Sequence, residues 1–258
     1  MACMKLTSKN YFSPEANKAY MSVSQFKAFE ACPHSALAEL NGKYEREKTP
    51  ALLVGSYVDA YFEGTLAEFT AENPDIFKRD GSLKAEYVQA DAIIERIKQD
   101  NLFMRYLSGL KQVIMTGTIN GVAVKVKIDS LLPDKIVDLK VMKDLKNVYT
   151  DCGSVPFFEA WSYDIQGAVY QEIVRQNTGK VLPFYLAAAT KEKITDIDIV
   201  HIEQNYLDLS LERFKNEVNT FDAIKNGIIE PERCEKCEYC RLTKKLKAPT
   251  ESSEYYLI

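Results

Sequence analysis

The chain has 258 residues and a formal net charge of −4, from 37 acidic and 33 basic side chains, with 46% hydrophobic and 27% charged residues. This is the balance of a soluble globular protein long enough to bury a sizeable core. Charge-free stretches of about a dozen residues fall short of the roughly 20 that a membrane-spanning helix needs.

The opening MACMKLTSKN lacks the apolar core of a secretory signal, so a cytoplasmic protein without a membrane partner is expected. Two histidines, His34 and His201, exclude catalysis built on several histidine ligands. Three of the six cysteines, Cys234, Cys237 and Cys240, lie close together near the C-terminus, and without a secretory signal such a cluster reads as metal binding before disulfides.

No repeat or Gly/Ser-rich linker divides the chain, and a single domain over 1–258 is expected. It has a mainly helical part at 1–110, a sheet-and-helix part at 111–205, and a helix with a Cys-rich segment at 206–258. Ser22 with Gln25 three residues on is a capping-box signature, predicting a short helix that carries Phe26 and Phe29 inward and stops before Pro33. A second helix is predicted over Ala51 to Phe62. A long amphipathic one follows over Lys84 to Leu107, from Tyr87, Ile93, Ile94 and Ile97.

VIMTGTI, Asn120-Gly121 and VAVKVKIDSLL then give a hairpin signal, because Asn-Gly suits the tight turn between paired strands. KIVDLKV reads as a third strand. Trp161, Ile165, Val169 and Ile173, spaced by four, predict a helix with a buried stripe. VLPFYLAAAT and Ile197 to Ile202 read as strands, and Leu211, Phe214, Val218 and Phe221 as a late helix ended by Asn226-Gly227. Helices, three strands, a helix, further strands and a last helix make a mixed α/β fold, a sheet flanked by helices.

In VAVKVKID, period-two alternation places Lys125, Lys127 and Asp129 opposite the apolar residues. In the next strand Asp138 and Lys140 share a face. If the strands pair, two carboxylates and an ammonium converge; a divalent cation relieves the carboxylate repulsion, and a lysine nearby orients a metal-bound water. The same alternation also describes the solvated face of an antiparallel sheet, and the hairpin followed by D-x-K favours the chemical reading.

At these residues the chain resembles the PD-(D/E)XK nuclease superfamily, whose core is αβββαβ, the restriction-endonuclease-like fold. Its motif, an acid on the second strand and (D/E)-x-K on the third, looks like Asp129 and then Asp138-Leu139-Lys140. Gln166 and Tyr170 resemble the QxxxY motif of RecB-like and RecE-like exonucleases, and Gly55 to Asp59 resembles their GxxxH with aspartate in the histidine place. The resemblance runs from the Ser-x-Phe-x-x-Phe-x-x-Cys-Pro segment beginning at Ser24 to the C-terminal cysteines, and is similar to phage or prophage RecE-like (exodeoxyribonuclease VIII-like) exonucleases.

It implies Mg²⁺ or Mn²⁺ held by Asp129, Asp138 and the carbonyl of Leu139 with support from Asp59, Lys140 orienting the water, and Gln166 and Tyr170 positioning DNA. The implied activity is degradation of double-stranded DNA from its ends, with a single-strand annealing protein as partner in recombination and ring-shaped homo-oligomers among relatives.

Cys234-x-x-Cys237-x-x-Cys240 suits ligation of one ion or cluster, and Cys32 is the candidate fourth ligand. Several RecB-like nucleases hold a [4Fe–4S] cluster with one early and three late cysteines. Here the usual late C-x2-C-x5-C spacing is not met, and Zn²⁺, with His34 as an alternative ligand, competes. Cys3 and Cys152 read as plain residues. Arg241, Lys244, Lys245 and Lys247 after the cysteines, with Lys125 and Lys127 at the cleft, are the candidate DNA-contacting cations. A non-catalytic DNA- or partner-binding module built on the cysteine site is the alternative function.

Overall fold

The capping box forms as expected: Ser22 accepts from Gln25 N–H, and Gln25 closes on Ser22 N–H, starting a helix over Val23–Ala31. In the computed structural model the described residues are 4–47, 49–150, 153–246, 248–249 and 251–252. Cys3, Cys152 and Lys247 lie outside them.

In chain order the helices before the sheet are α1 (Pro14–Ala19), α2 (Val23–Ala31), α3 (Pro33–Leu40), α4 (Pro50–Glu63), α5 (Leu66–Glu72), α6 (Ala85–Lys98) and α7 (Asn101–Tyr106). The strands β1 (Leu110–Ile119), β2 (Val122–Leu132) and β3 (Lys135–Met142) follow, then a small hairpin of β4 (Val148–Thr150) and β5 (Gly153–Val155). Next come α8 (Phe157–Ala160), α9 (Tyr163–Thr178), β6 (Phe184–Thr190), β7 (Ile197–Ile202), α10 (Gln204–Lys225) and α11 (Glu238–Leu242). Among the described residues no helix is long and apolar enough to cross a membrane.

The main sheet has the order β1-β2-β3-β6-β7. Only the β3–β6 pair is parallel, which α8 and α9 make possible by crossing over one face; the other three pairs are antiparallel. Asn120 and Gly121 both take positive φ, 48° and 80°, the turn that the Asn-Gly pair was expected to make.

One face of the sheet packs on α2, α9 and α10, where Phe26 stacks on Phe214 at 4.4 Å beside fully buried Val169, Ile173 and Val218. The other face takes α4, α6 and α7, with Tyr57, Ile93, Ile94 and Phe103 against Val137, Leu139 and Ala187. Gly167 lets α9 sit close on β6, since a Cβ there would lie 2.5 Å from the ring of buried Phe184. This close seat sets the height of the neighbouring Gln166 over the sheet.

Two expectations need correction. The helix expected over Lys84 to Leu107 is two: α6 ends at Lys98, and Asp100 caps α7 by accepting from Phe103 N–H. A local side-chain acceptor thus outcompetes continuation of the apolar period. Trp161 is no part of the α9 stripe. It ends α8 and is exposed, and Ser162 after it takes φ +52°, breaking the helix before Ile165, Val169 and Ile173 resume the buried pattern.

A candidate carboxylate–lysine centre and a four-cysteine site

The β2–β3 ladder is short, Ser130 with Val137, Leu131 with Ile136 and Leu132 with Lys135. The next pair in register, Asp129 and Asp138, falls where the strands separate. Beyond that point the free edge of β2 is taken by Met21, whose backbone pairs with Ala123 and Lys125. In the gap, Leu139 N–H donates to Asp129 Oδ2 at 3.0 Å, replacing the strand partner it lacks. Asp138, 1% exposed, accepts from Gln166 Nε2 at 2.6 Å on one oxygen and ion-pairs with Lys140 Nζ through the other.

From the opposite layer, α4 brings Asp59. Gly55, one turn earlier, lies 4.0 Å (from an added Cβ) from the carbonyl of Val141, so the helix runs close along β3 there. Asp59, Asp129 and the backbone of Leu139 line one small cavity together with Glu63, Lys111 and Gln112. It has about 10 Å³ open to a water-sized sphere, room for an ion or one water and not for a larger ligand.

Burial raises the carboxyl of Asp59 well above the carboxylate range; Asp129 and Asp138 add to this while Lys140 opposes it. Burial likewise pushes Asp138 up to about 7, with Lys140 pulling down and Asp129 pushing up. Burial works against the Lys140 ammonium, but Asp138, Asp129 and Asp59 outweigh it and hold the group charged. Several carboxylates crowded in a low dielectric, with one lysine to offset them, are short of positive charge. A divalent cation would relieve this: Asp59, Asp129 and the Leu139 carbonyl would hold it at the cavity, and Asp138, outside the cavity lining, would join through the oxygen now paired with Lys140.

Glu63 and Gln112 belong to this site and were missed. Glu63 lies one helical turn beyond Asp59, a spacing that could have pointed to it; burial raises its carboxyl, with Lys127 opposing and Asp129 adding. Gln112 donates to Asp129 Oδ1 at 3.3 Å and interrupts β1 with φ +53°, a left-handed conformation that nothing in the local sequence announces. Such strain, on the order of 1–3 kcal/mol, persists where surrounding structure enforces it.

Other expected residues fall elsewhere than foreseen. Gln166 and Tyr170 are both buried: Gln166 holds Asp138, and Tyr170 donates to the carbonyl of Lys127 at 3.0 Å, so both brace the centre from behind. Lys125, expected beside the cleft, is 1% exposed, because the N-terminal segment covers it: its ammonium donates to the Tyr11 carbonyl and to Asn17 Oδ1 and lies over the Tyr11 ring. Lys127 stays half-buried, 5.2 Å from the Phe12 ring. Arg241 and Lys244 are exposed, on and just after α11, beside the cysteines.

The four expected cysteines do converge. The sulfurs of Cys32, Cys234, Cys237 and Cys240 all lie within 4.8 Å of one another, Cys32 and Cys240 at 3.6 Å and Cys234 and Cys240 at 4.0 Å. Cys32 stands at the kink between α2 and α3, so the site ties this early corner to the C-terminal segment. Backbone N–H groups of Cys237 and then Lys236 lower the Cys234 thiol to about 6, as suits a thiolate ligand, while burial raises Cys240 to about 12. His34 lies 3.8 Å from the Cys240 sulfur, through Nδ1, and packs on Tyr239, adjacent to a set already complete with four sulfurs.

A sheet with this order, carrying an acid on β2, D-x-K on β3 and a glutamine on the following helix, defines a restriction-endonuclease-like α/β protein. The family model that matches residues 22–243 is that of a PDDEXK-like domain of unknown function, DUF3799, and the chain belongs to this family. Among solved structures, a protein from Eubacterium rectale, provisionally named an exonuclease and determined at 2.19 Å, is 50% identical over 98% of both chains, with a TM-score of 0.95. No functionally curated protein matches the sequence.

A raised carboxyl in the folded state means that stability is full below the unfolded value near 4 and is lost as pH rises through the folded value. Asp59→Asn is therefore expected to raise the melting temperature of the metal-free protein at pH 8, and to change it little at pH 4.5. The same variant should show a smaller melting-temperature rise on adding Mg²⁺ than the native chain; scanning fluorimetry at the two pH values checks both.

Proposed function

We propose that this chain is a Mg²⁺-dependent DNA exonuclease. The single observation that carries the reading is the meeting of Asp129, Asp138 and Lys140 where β2 and β3 part, with Gln166 holding Asp138. A divalent ion at these oxygens would offset their charge and lower the pKa of a bound water.

The chain's own groups do the rest. Gln166 fixes one oxygen of Asp138 and leaves the other for Lys140 and the cation. Lys140, ion-paired to Asp138, is placed to donate to the attacking water or to the phosphate oxygen. Hydrolysis forms a bond from water oxygen to phosphorus and breaks the phosphorus–oxygen ester bond; the attacking water gives up one proton to solvent, and the departing sugar oxygen takes one up. Action at ends follows the exonuclease name given to the Eubacterium rectale relative; preference for duplex and supply of single strands to an annealing protein rest on the resemblance of Gln166 and Tyr170 to the RecE-like motif alone.

Digestion of linear duplex DNA with Mg²⁺ should be lost on Asp129→Ala and fall by roughly 10²–10³-fold on Lys140→Ala. A closed circular duplex should resist the native chain. Equal digestion by all three proteins would refute the assignment, and DNA binding without cleavage would favour the non-catalytic module.

For the cysteine site we propose a single structural Zn²⁺. Four ligands at ~2.3 Å from one tetrahedral ion lie about 3.8 Å apart; here two sulfur pairs are at 3.6 and 4.0 Å, and all four sulfurs lie within 4.8 Å of one another. A four-iron cluster hangs each sulfur from a different iron and spreads them further. The purified protein should be colourless, contain one zinc per chain, and lose zinc and thermal stability on Cys234→Ser. Brown protein with iron and sulfide would overturn the zinc assignment.

A further inference from the structure

Past Lys140, β3 runs into an open groove of about 540 Å³, formed by Val141–Asp144, Lys146–Val148, Lys191, Trp161 and Tyr163. Tyr163 joins it to the carboxylate–lysine centre, since its ring lies 5.4 Å from Lys140 Nζ. Trp161 is the only tryptophan of the chain. The residue is 56% exposed, although its backbone is pinned on both sides: its carbonyl accepts from Lys27 Nζ at 2.8 Å, and its N–H donates to the Phe157 carbonyl.

Three lysines line the groove against one carboxylate. Lys143 and Lys146 are exposed, Lys191 is half-buried with its ammonium on the carbonyl of Ala51, and Asp144 accepts from the backbone N–H of Lys146. An exposed aromatic ring on a fixed stretch of backbone, with cations around it, is the arrangement that binds unpaired nucleotides, because a base can stack on the ring while its phosphates meet the ammonium groups. A base pair inside a duplex is stacked on both faces and a terminal pair offers only its outer face, whereas an unpaired base can turn a face to Trp161 at any position along the strand.

We infer that this groove holds unpaired nucleotides of the strand being cut, one base stacking on Trp161 and the flanking phosphates beside Lys143 and Lys146. The inference rests on the nuclease reading and adds to it that the duplex end is opened before a phosphate reaches Lys140. The groove and the carboxylate cavity then divide the work between gripping the strand and breaking it.

Because Trp161 is the sole tryptophan, its fluorescence reports the groove directly. With no divalent cation added, titration of the native protein with a 20-nucleotide oligo-dT is expected to quench this fluorescence in a salt-dependent way. A blunt two-strand duplex without unpaired bases, at equal phosphate concentration, should quench it less. Stacking contributes about 1–3 kcal/mol per base, so Trp161→Ala should weaken binding of fluorescein-labelled oligo-dT, read by anisotropy, roughly 5- to 150-fold. Lys143→Glu with Lys146→Glu should weaken it too and flatten its salt dependence. Circular dichroism confirms that each variant is folded.

If the native protein digests duplex with Mg²⁺ yet oligo-dT neither quenches Trp161 nor binds more weakly to Trp161→Ala, the groove assignment is overturned and the nuclease reading stands. Quenching in a protein that digests no DNA upholds the groove and overturns the nuclease reading. Neither quenching nor digestion overturns both.

Discussion

The parting of β2 from β3 after the Ser130–Val137 pair is the constraint on which the site depends. Continued pairing would place Asp129 and Asp138 directly opposite, two like charges at close range inside a sheet. Separation leaves backbone groups to be satisfied, and the Asp129 carboxylate meets one of them at Leu139 N–H. The carboxylates remain crowded, Asp138 buried and Asp59 and Asp129 half-buried, which raises Asp138 and Asp59. The repulsion that costs the metal-free protein stability is what makes the cavity attractive to a divalent cation.

The two helical layers fix the parts of this centre independently. On one side, Gly167 seats α9 against Phe184 and thereby places Gln166 over Asp138. On the other, α4 runs close to β3 at Gly55 and delivers Asp59 and Glu63 one turn apart. The cysteine site stands apart from this chemistry. It joins the α2–α3 corner to the C-terminal segment, closing a stretch of more than 200 residues (Cys32 and Cys240 are 208 apart). A crosslink of this span stabilises mainly by restricting the unfolded chain, whereas the groove beside Trp161 opens directly from Lys140.

What was legible in the sequence was local in range. Strand alternation around Asp129 and Asp138, the Asn-Gly turn, the Ser22 cap and the three-residue cysteine spacing each depend on neighbours a few positions away, and each has its expected form. What was not legible came from distant segments or from backbone strain. Lys125 has the alternation of an exposed strand residue, but Tyr11 and Asn17, more than 100 positions away, cover it. The left-handed φ of Gln112 and Ser162 is one that neither residue type favours. Trp161 kept the helical period in sequence while the chain broke just after it. Glu63 was within reach of sequence reasoning, being four positions from Asp59.

The central claim is that Asp129, Asp138 and the Leu139 carbonyl form one cation site. Anomalous scattering from crystals soaked in Mn²⁺ tests it most directly. The expected result is a manganese peak within coordinating distance of these three groups, absent in Asp138→Asn. A protein that digests DNA with Mn²⁺ while the peak lies elsewhere, or persists unchanged in Asp138→Asn, would contradict it.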